Sequence, residues 1–202
     1  MVLHKLAKAC KIIVPKTRIL KLSDKHHTFL SKRFDRSSSS HRIHFASAMT
    51  LLGRNDGDDF HEGASYLELV EFISKYSPAS RIDLEQLWRR ILFNVLVSNT
   101  DDHLRNHGFL LSPNGWRLSP AYDMNPNENG TGLKLNISEN DNSLDIELVM
   151  QVAAYFQISV KDANGIQKQM IIEIGKWNEA AKLIGISKQE RDSMKAAFRI
   201  FS

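Results

Sequence analysis

Asn99-Thr100-Asp101-Asp102-His103-Leu104-Arg105-Asn106 stands between two very different neighbours. Before it, Leu84, Leu87, Trp88, Ile91, Leu92, Val95 and Leu96 fall on one stripe at helical spacing, the clearest pattern in the chain and the expected central helix of the core. After it, Gly108-Phe109-Leu110-Leu111 and Gly115-Trp116-Arg117-Leu118 flank Ser112-Pro113-Asn114, which predicts a β-hairpin. So dense a run of short polar groups does not build a core. Held between a rigid helix and a hairpin, it is a loop placed to carry chemistry.

The spacing within the loop narrows that chemistry. Phosphoryl transfer needs a carboxylate near the attacking hydroxyl, oxygen ligands for Mg2+, and cations along the phosphates. An aspartate with an asparagine five residues later is the spacing of a protein-kinase catalytic loop, where the Asp accepts the proton and the Asn holds a metal. Asp101 and Asn106 have it, and Asp123 follows the hairpin, where a second metal-binding aspartate is needed. Mg2+ takes one or two carboxylates plus phosphate oxygens, so the three residues suffice. Aspartates at a helix end are also common caps, but the ordered set of loop, hairpin and second aspartate favours the phosphoryl reading. A metallohydrolase site is disfavoured because His103 has no second histidine at ligand spacing on a helix.

Outward from the loop, Leu3, Leu6, Ala7 and Cys10 predict a first helix, ended by Ile12-Ile13-Val14-Pro15. Thr17–Leu22 and Thr28–Phe34 read as an antiparallel pair turning at Ser23–His27, and Ser37–Ser40 as a polar linker. Phe45, Ala48, Met49 and Leu52 form a helical stripe stopped by Gly53. Asn55–Asp59 looks like a calcium loop but lacks its spaced carboxylates and closing glutamate. Ser65-x-x-Glu68, Asp83-x-x-Gln86 and Ser187-x-x-Glu190 have the form of capping boxes opening helices. The end of the chain reads as three helices near 144–156, 159–182 and 187–200. The expected class is α+β and mainly helical.

With 202 residues, 42% hydrophobic and 25% charged, the chain can bury a core without disulfides, and its single cysteine permits none within it. No apolar run approaches the roughly 18–20 residues of a membrane span, and the charged start does not make a signal peptide; a cytoplasmic protein is expected. A net charge of +4 suits an anionic ligand such as a nucleotide, and equally a solvated surface.

Three stretches together resemble the C-terminal part of HipA-family serine/threonine kinases, toxins of bacterial toxin–antitoxin pairs. Phe29–Arg36 is similar to the family's strand ending in Arg-Phe-Asp-Arg, and Asn99–Asn106 to its Asn-x-Asp-x-His-x-Lys-Asn loop, with Arg105 in place of lysine. Ser119-Pro120-Ala121-Tyr122-Asp123 is similar to its metal-binding motif. The resemblance implies a protein-kinase-like C-lobe over 37–202, with residues 1–36 as hinge and remnant of the N-lobe. It implies Asp101 as base, Asn106 and Asp123 as Mg2+ ligands, and His103 and Arg105 supporting the loop or the phosphates. The backbone of Lys32 and Phe34 would face the adenine of ATP, with Asp35 near the ribose. A protein substrate is implied, aminoacyl-tRNA synthetases being targets in the family, together with an antitoxin partner. No membrane and no direct nucleic-acid contact are expected.

The family's phosphate-binding loop and nucleotide lysine precede everything in this sequence. Gly130-Thr131-Gly132 is too short to replace the cradle. The expectation is therefore a truncated kinase or one part of a split kinase, with an apolar face and an open sheet edge near 1–35 that want a partner. Two alternatives stay open: an inactive module binding an antitoxin or a complementary subunit, and a lipid or small-molecule kinase.

Overall fold

The computed structural model describes residues 1–22 and 27–200. The helices and strands, in chain order, are α1 (Val2–Ala9), β1 (Thr17–Lys21), β2 (His27–Ser31), β3 (Phe45–Ser47), α2 (Ala48–Leu52), α3 (Tyr66–Tyr76), α4 (Ser80–Leu96), β4 (Gly108–Ser112), β5 (Gly115–Leu118), α5 (Ile146–Gln151), α6 (Val160–Gly175), α7 (Trp177–Ile184) and α8 (Lys188–Met194). The fold is mixed α and β and mainly helical, as expected.

The centre is α4. Its apolar stripe widens into a helix buried on nearly every side, with Leu84, Leu87, Trp88, Ile91, Leu92, Phe93, Val95 and Leu96 wholly enclosed. Trp88 ties α4 to α5 by donating its indole N–H to the carbonyl of Val149 at 3.0 Å. The β4–β5 hairpin forms as predicted, with Ser112 paired to Gly115 across Pro113-Asn114. It gains a third strand that the sequence did not announce, because β3 pairs Phe45 with Leu110. Phe45 therefore leaves the expected helical stripe, and only Ala48–Leu52 forms the helix, closed by left-handed Gly53.

Two of the three capping boxes form. Ser65 with Glu68 opens α3, and Ser187 with Glu190 opens α8, each with reciprocal side-chain and backbone bonds. The third reading is corrected. The helix begins at Ser80, and Asp83 is buried inside its first turns. Its carboxylate accepts from Ser77 Oγ at 2.7 Å, from the Arg117 guanidinium at 2.9 and 3.0 Å, and from the backbone N–H of Leu118 at 3.1 Å. Tertiary partners on β5 thus claimed the group that local spacing assigned to a cap. The predicted helix over 159–182 also divides, at Lys176 between α6 and α7.

The strands β1 and β2 pair antiparallel, from Thr17 opposite Ser31 to Lys21 opposite His27. Residues 23–26 of the expected turn lie outside the described residues. Among the described residues this ladder has no third strand, and Leu22, Phe29 and nearby Ile13 are exposed. By contrast α1 packs into the helical body: Leu3, Leu6, Ala7 and Cys10 join the core, against α6 and α7. Gln86 fixes the exit of α1, accepting from Ile13 N–H at 2.8 Å and donating to Lys11 carbonyl at 3.0 Å.

Candidate functional site

The loop is launched by the end of α4. Ser98 takes a left-handed backbone, φ 50°. The N–H of Ser98 then reaches the carbonyl of Val95 at 3.3 Å, and the N–H of Asn99 reaches that of Asn94 at 2.9 Å. These are the two bonds of a Schellman ending, here with serine where glycine is usual. The chain then turns at 103–106, where Asn106 N–H donates to His103 carbonyl at 2.8 Å. The first N–H groups of α2 hold it from above: Ala48 donates to His107 carbonyl at 2.8 Å and Met49 to Leu104 carbonyl at 3.3 Å.

This geometry sorts the loop side chains. Asp101 and Arg105 are exposed, while Asp102, Leu104, Asn106 and His107 point inward. Asp101, His103 and Arg105 line a cavity of about 250 Å3, shared with the Asn55–Asp59 loop and Lys134. Arg105 forms an ion pair with Asp56 across this cavity. Its backbone carbonyl accepts from the Tyr122 hydroxyl at 2.7 Å, which joins the loop to the Asp123 segment. In the Asn55–Asp59 loop, Asp58 accepts from Asn55 N–H at 3.0 Å and Asp59 caps a 3-10 turn, Phe60–Glu62.

The structure brings Asn106 and Asp123 together. Asn106 Nδ2 donates to Asp123 Oδ2 at 2.9 Å, while Asn106 Oδ1 accepts from His103 N–H at 3.0 Å. Asp123 Oδ1 accepts from Asn125 Nδ2 at 2.9 Å. Asp123 is exposed and left-handed, φ 56°. An oxygen-rich pair of this kind fits Mg2+, a hard cation that takes few carboxylates and keeps water or phosphate oxygens. Asn106 Oδ1 has a second lone pair to offer. Asn106, through that oxygen, and Asp123 are the residues that would hold such an ion, which would neutralise phosphate charge.

Beneath the loop lies a set of groups that the sequence reading left without a role. Asp102 Oδ2 accepts from Tyr66 hydroxyl at 2.6 Å and from His107 Nε2 at 2.8 Å. Burial alone would raise the Asp102 carboxyl; His107, Tyr66 and nearby Arg90 outweigh it and hold the group below the usual carboxylate range. Arg90, on α4, is buried and donates to Ser119 carbonyl. Burial lowers its guanidinium to about 10, against the pull of Asp102. Asp102 and His107 sit inside the polar run, so spacing displayed them. Only the packing of α3 on the loop shows that Tyr66 completes the set.

The residues expected to form a hinge are placed unequally. Phe34 stacks on Tyr122, ring centroids 5.6 Å apart, and leans on Phe45 at 5.9 Å, so it adjoins the Asp123 segment. Gly108 makes this possible, because a Cβ there would lie 2.2 Å from the Phe45 ring and 3.2 Å from the Tyr122 hydroxyl. Lys32 is exposed, and its N–H is already bonded to Lys16 carbonyl at 2.8 Å, which removes it as an adenine donor in this conformation. Asp35 is clasped by two arginines, Arg33 at 2.8 and 2.5 Å and Arg36 at 2.7 Å. The hydrogen bonds from Arg33 hold its carboxyl down at about 2.

Helical body, loop, hairpin and second aspartate together define a kinase-related domain. The chain belongs to the HipA-like C-terminal domain family, whose model matches residues 1–193. The Haemophilus influenzae protein named "Putative kinase" is 30% identical over 105 residues, 49% of this chain and 31% of that protein. The serine/threonine-protein kinase toxin HipA of Shewanella oneidensis is 37% identical over 71 residues, 34% of this chain and 16% of the toxin. In structure, HipA from the Shewanella oneidensis complex with HipB and operator DNA superimposes with a TM-score of 0.78 at 17% identity. That match covers 97% of this chain and 52% of HipA. The Helicobacter pylori proinflammatory kinase CtkA matches with a TM-score of 0.53 at 11% identity, covering 91% of this chain and 86% of CtkA. The fold is thus shared with both, and the chain spans about half the length of the HipA structure that it matches. Among the described residues, no helix is long and apolar enough to cross a membrane.

Proposed function

We propose that this chain supplies the catalytic floor of a Mg·ATP-dependent serine/threonine protein kinase. Asp101 accepts the proton of the attacking hydroxyl, and Asn106 with Asp123 holds Mg2+ on the phosphates. His103 and Arg105 support the loop. Phe34 borders the adenine, and the clasped Asp35 fixes the hinge next to the ribose. The observation that carries this reading is the side-chain contact of Asn106 with Asp123, on a loop whose Asp101 is exposed. Asn106 and Asp123 are in contact, and Asp101, on the same loop as Asn106, lines the cavity beside Arg105. The substrate is a protein hydroxyl, with aminoacyl-tRNA synthetases as the first class to try.

The β1–β2 ladder is the remnant of the N-lobe in this reading. A second polypeptide or segment adds strands to it and brings the phosphate-binding loop and its lysine. Its open edges and the exposed Leu22, Phe29 and Ile13 support that. The same face favours the second reading, a silent module that binds an antitoxin or complementary subunit; the HipA that this fold matches is in complex with HipB.

Calorimetric titration of Mg·ATP into the chain, alone and with the product of the adjoining upstream gene, separates the two. Binding that requires Mg2+ and is lost in Asp123→Asn supports the kinase. Absence of binding in both samples leaves the interaction module.

A further inference from the structure

We infer that Arg199 is a positioning residue that clamps the start of the catalytic loop to the metal-binding segment. The inference rests on the kinase reading above and deepens it. Arg199 lies beyond the residues matched by the family model, which stops at 193. Its backbone N–H donates to the carbonyl of Leu96, the last residue of α4, at 2.9 Å. Its Nε donates to Ser98 Oγ at 3.0 Å, and its Nη2 to Gly130 carbonyl at 3.1 Å. One residue thus holds the end of α4, the first residue of the loop and the segment that follows Asp123.

Three features give this clamp a physical task. The last turn of α4 carries no basic residue, so its carbonyl dipoles lack the cation that such an end favours. Arg199 brings one from elsewhere in the chain. Ser98 is left-handed without being glycine, a strained state that persists only where its surroundings over-determine it. The two stretches are also in direct contact. Ser98 carbonyl accepts from Asn127 N–H at 2.9 Å, Asn127 Nδ2 donates to Thr100 Oγ1 at 2.9 Å, and a Cβ on Gly130 would sit 2.3 Å from the Thr100 methyl. From Asn99, the tie continues to the metal segment: Asn99 Oδ1 accepts from Asn125 N–H at 3.2 Å, and Asn125 holds Asp123. Arg199 itself is fixed by its neighbour, because Phe198 stacks flat on Trp177 with centroids 4.2 Å apart.

The test compares Arg199→Met, Arg199→Lys and the parent in the full chain. Met keeps the apolar stem and removes all three guanidinium nitrogens; Lys restores the charge without the fork. Amide hydrogen exchange is followed at 98–106 and 123–130, with α3 and α6 as internal references. The expected result for Arg199→Met is about tenfold faster exchange in both stretches, the scale of one or two hydrogen bonds to a charged group, with the reference helices unchanged. Arg199→Lys recovers part of this. Where phosphate transfer is observed, kcat falls by a similar factor and KM for ATP does not. Unchanged exchange in 98–106 and 123–130, or an equal rise throughout the chain, overturns the inference. If the parent, together with the polypeptide that carries the phosphate-binding loop, binds Mg·ATP and transfers no phosphate, the kinase reading fails, and the exchange data still decide whether Arg199 clamps the loop.

Discussion

Asn106 and Asp123 stand 17 residues apart in sequence and are joined side chain to side chain at 2.9 Å. The amide nitrogen faces the carboxylate, an arrangement suited to holding the pair together without a cation. Asn106 would offer Mg2+ its amide oxygen, so holding the ion between the two side chains would turn the amide away from this hydrogen bond. Titration with Mg2+ in the presence of ATP should therefore shift the Asn106 side-chain amide resonances in an NMR spectrum. Asp123→Asn should abolish the shift. Asparagine tolerates a left-handed backbone, so the substitution should leave thermal stability within about 2 °C of the parent.

The buried set below the loop predicts a stability effect. Asp102→Ala leaves Tyr66 and His107 without their shared acceptor and should cost about 3–5 kcal/mol in urea unfolding. Tyr66→Phe removes one donor and should cost about 1–2 kcal/mol. Because the fold depresses Asp102, its contribution is complete above the unfolded value of about 4 and is lost as pH falls through the lower folded value. The gap between the urea midpoints of the parent and Asp102→Ala should narrow as pH falls below about 4.

The clasp around Asp35 makes a separate prediction. Asp35, held at about 2 mainly by hydrogen bonds from Arg33, should titrate in NMR well below the ordinary carboxylate range. Arg33→Ala should bring it back up toward that range, leaving Arg36 as the remaining partner. An unchanged titration would show that the clasp does not exist in solution.

Much of this was legible in the sequence, for definable reasons. Ser65 and Ser187 announced their helices because a capping box is local chemistry, decided within four residues. The stripe of α4 and the β-hairpin were readable from period. Asp83 misled because a cap and a buried carboxylate look alike until Arg117 arrives from β5. The strand β3 was hidden because three residues, Phe45-Ala46-Ser47, are too few to show alternation. At the site, spacing selected Asp101, Asn106 and Asp123. Tyr66, Arg90 and Arg199 were beyond it, since the groups they bond, Asp102, Ser119 and Ser98, lie far from them in sequence.

Cys10 reports on how α1 is seated. Burial raises its thiol to about 12, so it should resist a disulfide reagent at pH 8 and react only as the chain unfolds. A fast native reaction would mean that α1 is not packed against α6 and α7.

Gly108→Ala tests the contact of Phe34 and Phe45 with the hairpin. The new methyl meets the far end of the Phe45 ring, which is part-exposed and able to turn, so a loss of about 1–3 kcal/mol is expected. Turning that ring also removes a neighbour of Phe34, and nucleotide affinity should fall with stability.

The central claim is that Asp101 is the base of a phosphoryl-transfer site. The direct measurement is transfer of labelled γ-phosphate from Mg·ATP to protein, by the chain together with the polypeptide that carries the phosphate-binding loop. The account predicts transfer by the parent and a loss of about 100-fold or more in Asp101→Asn, with ATP binding kept. Equal transfer by parent and Asp101→Asn, or none in a mixture that binds Mg·ATP, would contradict it.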